Sequence, residues 1–214
     1  SLRQMTFEEV KEKALDDFKA PFTDKMLKTE FEKEEWEDIL CSLQLSTLQL
    51  LINDFQKEMY QPVQGGSSER FFVWVFEAVQ MLRPMLRAGQ FEPVRKSLDY
   101  IFSLQDAGFP PVGRFTTTSG AIGTTGPRWA NTTGMALALA CDYYLYSKDW
   151  QFIENYLTKI LKAMHWITGE VKATRVLKSD GSRPLTYGLM PFAVASDGDS
   201  GYFVSATDVF SFWG

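Results

Sequence analysis

The chain has one histidine, His165, and two cysteines among its 214 residues. One histidine cannot build a multi-histidine metal site, and two cysteines cannot form a disulfide framework or a four-thiolate zinc site. Any Ser-His-Asp or Cys-His arrangement would have to use His165. That residue sits in Ala163-Met164-His165-Trp166 near the end of an amphipathic segment, where a packed or helix-terminal histidine is expected. No run of about 18 uncharged apolar residues occurs, so no membrane span is expected. No basic stripe occurs either, and the net charge is -5. Nucleic acid is therefore a poor candidate partner. The glycine-rich stretch Gly120-Ala-Ile-Gly123-Thr-Thr-Gly126 lacks the Gly-Lys-Ser/Thr ending of a phosphate loop and follows no strand. No cofactor or metal is expected.

What the chain does contain is apolar and aromatic mass. Hydrophobic residues make up 45% and aromatics 14%, with 17 Phe, 8 Tyr and 6 Trp. That suits a folded domain. The negative charge is concentrated at the start: residues 1–60 hold 14 acidic against 8 basic residues, and residues 61–214 hold 13 against 14. A run of this kind reads as a solvated helix face. Cys41 and Cys141 fall in apolar helical patterns and are expected to be buried thiols.

Hydropathy predicts an all-α chain. Phe7 to Phe18 is amphipathic, opened by Thr6 with Glu9 three residues on, a capping-box pattern. Glu34 to Met59 keeps a helical period through Trp36, Ile39, Leu40, Leu43, Leu48, Leu51, Ile52 and Phe55, and predicts one long helix. Phe71 to Leu86 is apolar nearly all round, as expected of a helix buried on all sides. Gln90 to Leu104 is amphipathic. Thr132 to Tyr146 is again apolar all round, Trp150 to Ile167 amphipathic, and Tyr202 to Trp213 apolar. Between them, 13 of the 22 residues from Gly113 to Gly134 are Gly, Ser or Thr. This segment and 169–199 read as long connections of the kind that carry function.

Apolar and amphipathic helices alternate, and the alternation repeats. Leu86, Phe91, Leu98 and Ile101 are matched 59 residues later by Leu145, Trp150, Leu157 and Ile160. Each unit is an αα-hairpin whose inner helix is covered by its outer one. Such hairpins close into a toroid or stack into a solenoid. The long loops before the apolar helices favour a toroid with a pocket at one rim.

Carboxylates near the starts of inner helices are few. Glu69 stands beside Arg70 before the Phe71 helix. Asp197 and Asp199 precede the Tyr202 helix. Asp208 lies inside it among Val204, Val209, Phe210, Phe212 and Trp213, where an acid needs a partner or a raised pKa. Paired carboxylates across a cleft are what glycosidic hydrolysis requires: one protonates the leaving oxygen and one activates water. Glu69, Asp197 and Asp208 are therefore the catalytic candidates. Arg70, Arg128, Trp129, Tyr187 and Asp199 are the substrate-binding candidates, with Trp129 and Tyr187 offering flat apolar faces to sugar rings. A helix cap or a solvated ion pair accounts equally for Glu69, Asp197 and Asp199.

Three segments carry a resemblance. Ala88-Gly89-Gln-Phe91 through Ser103-Leu-Gln105 resembles an outer helix of the six-hairpin glycosidases, the (α/α)6 toroid of many glycoside hydrolases. Gly126-Pro-Arg-Trp129-Ala-Asn-Thr-Thr-Gly-Met-Ala-Leu-Ala138 resembles the next inner helix. Gly188-Leu-Met-Pro191, Ser196-Asp197, Tyr202 and Asp208-Val-Phe-Ser-Phe-Trp213 resemble the entry to a further one. Together they span most of residues 34–214. The resemblance implies a carbohydrate substrate and hydrolysis by paired carboxylates. Position 69 resembles an acidic position at an inner-helix start in some relatives. The chain, 1–214, reads as one partial domain with fewer helices than six hairpins need, and lacks the C-terminal ones. The alternative reading is a non-catalytic helical-hairpin module that binds a glycan or a protein.

Overall fold

A computed structural model describes residues 5–19, 31–54, 56–63, 72–194 and 205–214. It is mostly helical. The elements are α1 (Phe7–Lys19), α2 (Glu34–Gln49), β1 (Leu51–Asp54), β2 (Met59–Pro62), α3 (Val75–Arg87), α4 (Phe91–Ser103), α5 (Thr132–Ser147), α6 (Trp150–Ala173) and α7 (Ser205–Trp213). Among the described residues no helix is long and apolar enough to cross a membrane.

The capping box forms as expected. Thr6 N and Oγ1 both donate to Glu9 Oε2, at 2.7 and 2.8 Å, and Glu9 N donates to Thr6 Oγ1 at 3.3 Å. These bonds satisfy donors that open the helix, and they hold the Glu9 carboxyl below its ordinary pKa.

The long helix expected over Glu34 to Met59 is corrected. It stops at Gln49, and a hairpin follows in which Leu51 pairs with Pro62 and Asp54 with Met59. Near the stop, the Ser46 and Thr47 hydroxyls donate to the Ser42 and Leu43 carbonyls, which weakens a helix end. β2 packs against α4, and Leu48, Leu51 and Met59 join the core through that contact.

α5 is the centre of the molecule. It packs against α3, α4, α6 and α7, while α4 also packs against α3. Every residue from Thr132 to Ala140 is buried. This matches a sequence without a polar face. Small residues let the neighbours come close: a Cβ on Gly134 would lie 2.1 Å from the Phe210 carbonyl oxygen of α7. The main core joins Leu82 and Leu86 of α3, Leu98, Ile101 and Phe102 of α4, Met135 and Leu139 of α5, and Phe152 of α6.

α3 departs from its expectation. It begins at Val75, and it is amphipathic rather than buried all round, with Gln80, Pro84 and Arg87 on an exposed face. The proline ring is accommodated because that face meets solvent. α6 runs to Ala173, beyond the expected end at Ile167, so the second connection begins at Thr174. Both thiols, Cys41 and Cys141, are exposed and not buried. Cys141 falls where α5 emerges from its neighbours. His165 is likewise exposed, on the outer face of α6.

The spacing of 59 residues does not carry equal burial. Leu86 and Leu98 are fully buried, whereas their counterparts Leu145 and Leu157 are 54% and 48% exposed.

Candidate functional site

α7 brings one sequence-predicted acid into a cleft. The cleft has a volume of about 530 Å³ and lies between the C-terminal part of α6, residues 188–190 and α7. Its wall is built by Leu137, Met164, Ile167, Val171, Leu189 and Met190. The polar groups on it include Asp208, Ser211 and Arg175. α6 presents Met164, Ile167, Thr168 and Val171 because residues three and four apart share a helix face. The Thr174 hydroxyl donates to the Leu189 carbonyl at 2.7 Å, fastening the 188–190 segment to the end of α6.

Asp208 Oδ1 accepts a hydrogen bond from Met190 N at 2.6 Å. Burial pushes its carboxyl above the usual aspartate range, against the lowering effect of that hydrogen bond. Desolvation dominates because one amide is a smaller stabiliser of the carboxylate than the water it replaces. Asp208 is the one carboxylate that lines the cleft among the described residues. The Ser211 hydroxyl, one turn away, is buried and has no hydrogen-bond partner among the described residues.

The other candidates fall elsewhere. Glu69, Arg70, Asp197 and Asp199 lie outside the described residues. Trp129 is half-buried in an aromatic cluster, 5.9 Å from the ring centroids of both Trp74 and Phe76. Phe76 in turn meets Phe210 at 5.4 Å. Arg128 is exposed and its Nε donates to the Pro110 carbonyl at 2.7 Å. Tyr187 is half-buried, with the Arg183 guanidinium 4.8 Å from its ring centroid. None of these three side chains lines the cleft.

The Gly/Ser/Thr-rich connection is a stitched segment. Its anchor is Glu170, a fully buried acid on α6. Glu170 accepts from Thr116 N at 2.9 Å, from Thr117 N at 3.0 Å and from the Thr116 hydroxyl. Trp166 Nε1 donates to the Thr117 carbonyl at 2.8 Å. Gln105 Nε2 donates to the carbonyls of Gly120 and Lys159, both at 2.9 Å. Sequence reasoning missed Glu170 because it placed the helix end at Ile167. The available signal was spacing: Ala163, Trp166, Ile167 and Glu170 continue one buried stripe.

The same segment walls a second, polar cleft of about 350 Å³, lined by Asp106, Thr117, Thr118 and Ser119 among others. Asp106 accepts from Gly120 N at 2.7 Å and from Lys162 Nζ at 2.6 Å. Burial raises its carboxyl pKa, but the lysine and amide hydrogen bonds outweigh this and hold it below the ordinary value. Asp106 is thus a committed anion with its partners in place, unlike Asp208. Among the described residues no group of three or more His, Cys, Asp or Glu side chains converges to hold a metal ion.

No protein-family model, curated protein or solved structure matches this chain.

Proposed function

We propose that this chain belongs to a carbohydrate-active enzyme of the six-hairpin glycosidase kind, with Asp208 as the proton donor of a glycoside hydrolase. The observation that carries the reading is the state of Asp208. It is a part-buried carboxyl with a raised pKa on the wall of a substrate-sized cleft. A carboxylic acid whose pKa is raised holds its proton to higher pH than an ordinary aspartate, which suits it to protonate a leaving glycosidic oxygen. The order of the elements also supports it: α3 packs on α5 and α5 on α7, with α4 and α6 packed alongside.

The reaction needs a second carboxylate. Asp197, which precedes α7 in sequence, and Glu69 are the proposed partners, acting as base or nucleophile. A separation of roughly 6.5–9.5 Å leaves room for an attacking water and predicts inversion, and about 5 Å predicts retention. Arg70, Arg128, Trp129, Tyr187 and Asp199 remain the proposed sugar contacts.

The test is a hydrolysis screen of the chain against a panel of alkyl and aryl glycosides, with Asp208→Asn alongside. Turnover that falls by about 10²–10⁴ in the variant supports the assignment, in line with the usual contribution of a general acid. Unchanged turnover in Asp208→Asn removes it. One observation favours the second reading, a non-catalytic module that binds a glycan or a protein: Asp208 has no carboxylate partner on the cleft wall among the described residues. Binding to a glycan array without turnover of any glycoside selects that reading.

A further inference from the structure

The Asp208 cleft has an uneven chemistry. Its apolar lining includes Met164, Ile167 and Val171 of α6, Leu137 of α5, and Leu189 and Met190. These side chains offer carbon and thioether surface with no strong hydrogen-bonding atoms. The polar side chains on the cleft wall are Asp208, Ser211, Arg175 and Thr168. A second sugar ring seated on the apolar wall would lose water from several hydroxyls at once. Each unsatisfied hydroxyl costs about 1–3 kcal/mol. An alkyl or aryl group meets the opposite balance, since burying each methylene contributes about 0.8 kcal/mol. The volume, about 530 Å³, lies within the roughly 300–1,000 Å³ range of small-molecule pockets. Met164, which is exposed, adds a surface that adapts to the shape of an apolar ligand.

We infer that this cleft selects a glycoside whose aglycone is apolar, an alkyl or aryl group seated against Met164, Val171 and Met190 beside the Asp208 carboxyl. The inference rests on the glycosidase reading and adds the substrate class to it. In this arrangement Asp208 faces the glycosidic oxygen at the end of the apolar group. Protonation of the glycosidic oxygen breaks the bond from anomeric carbon to oxygen. The apolar group leaves as an alcohol, and water supplies the hydroxyl to the sugar.

The test uses matched n-octyl and methyl glycosides of glucose, galactose and mannose, with the octyl compounds kept below their micelle concentrations. The matched pairs have leaving alcohols of similar acidity, so the chain alone is varied. Binding is read from ¹³C-methyl methionine NMR of the whole chain, and turnover from released sugar. The expected result is movement of the Met164 and Met190 methyl signals by at least one octyl glycoside. Its Kd should be at least tenfold below that of the methyl partner. Met164 is 43% exposed, so Met164→Lys places a charge on the wall without entering the core. It is expected to weaken octyl binding tenfold or more. Equal affinity for the two series overturns the inference, as does octyl binding that leaves both methyl signals in place. Octyl and methyl glycosides turned over with equal kcat/KM keep the hydrolase reading and overturn the inference. Octyl-selective binding without any turnover overturns the hydrolase reading and retains the apolar selectivity of the cleft.

Discussion

Arg83 Nε donates to Asp142 Oδ2 at 2.7 Å, and the two residues are 59 positions apart. That interval is the one at which Leu86 and Leu145 recur. The pair joins α3 to α5. The Arg83 guanidinium also lies 3.9 Å from the ring centroid of Trp213. One side chain thus ties α3, α5 and α7 together by a part-buried ion pair and a cation–π contact.

Arg83→Ala is expected to cost about 2–4 kcal/mol, the sum expected of a part-buried charge-assisted pair and a stacked guanidinium. Arg83→Lys keeps the charge but loses the planar fork and the stacking, so it should recover only part of that loss. Urea unfolding of the three proteins measures both. A lysine variant as stable as the parent would show that charge alone matters here.

Glu170 is the anchor of the 113–122 segment. Glu170→Ala leaves the Thr116 and Thr117 amides without their acceptor, and a loss of about 1.5–3 kcal/mol is expected from hydrogen bonds to a charged group. Hydrogen exchange locates the effect. The amides of residues 116 and 117 should lose protection, and those of α4 should keep it.

Gly134 is required by the approach of α7 to α5. Gly134→Ala puts a methyl into the Phe210 carbonyl, where backbone cannot yield as a flexible side chain does. Overpacking of this kind costs about 1–3 kcal/mol. The expected readout is faster hydrogen exchange along α7, with α3 and α4 unaffected.

Asp208 predicts a pH-dependent stability of defined sign. Its folded pKa is raised by burial, so its contribution is fully present below the unfolded value near 3.9 and is lost as pH rises through the folded value. Asp208→Asn keeps an oxygen for the Met190 amide and cannot ionise. The variant should therefore have a higher Tm than the parent at pH 7, with the difference vanishing below about pH 4. Asp106 and Asp149, whose pKa values are lowered, carry the opposite sign. Their contributions are present above the ordinary aspartate range and are lost on acidification.

Particular residues show what was legible in the sequence. α5 was readable because Thr132 to Tyr146 is apolar nearly all round, and burial followed for Thr132 to Ala140. Thr6 and Glu9 announced their cap because that chemistry is local. Asp208 was readable as an acid among apolar neighbours. The hairpin after Gln49 was not, because Leu48, Leu51 and Ile52 satisfy a helical period and a strand pairing alike. Contact with α4, far along the chain, decides between them. Cys141 and Leu145 read as buried on the same grounds as Leu139, but their exposure depends on which neighbours reach the end of α5. The meeting of Met164 and Met190 at one cleft has no sequence signature, since it depends on how residues 188–190 are fastened to α6.

The measurement closest to the central claim is the titration of the Asp208 side-chain carboxyl, followed by ¹³C NMR and set beside the pH dependence of glycoside hydrolysis. The account predicts an Asp208 midpoint above the ordinary aspartate range. It also predicts a basic limb of kcat/KM at the same pH, because the proton donor is lost there. A midpoint within or below the ordinary range, or a basic limb that persists unchanged in Asp208→Asn, would contradict it.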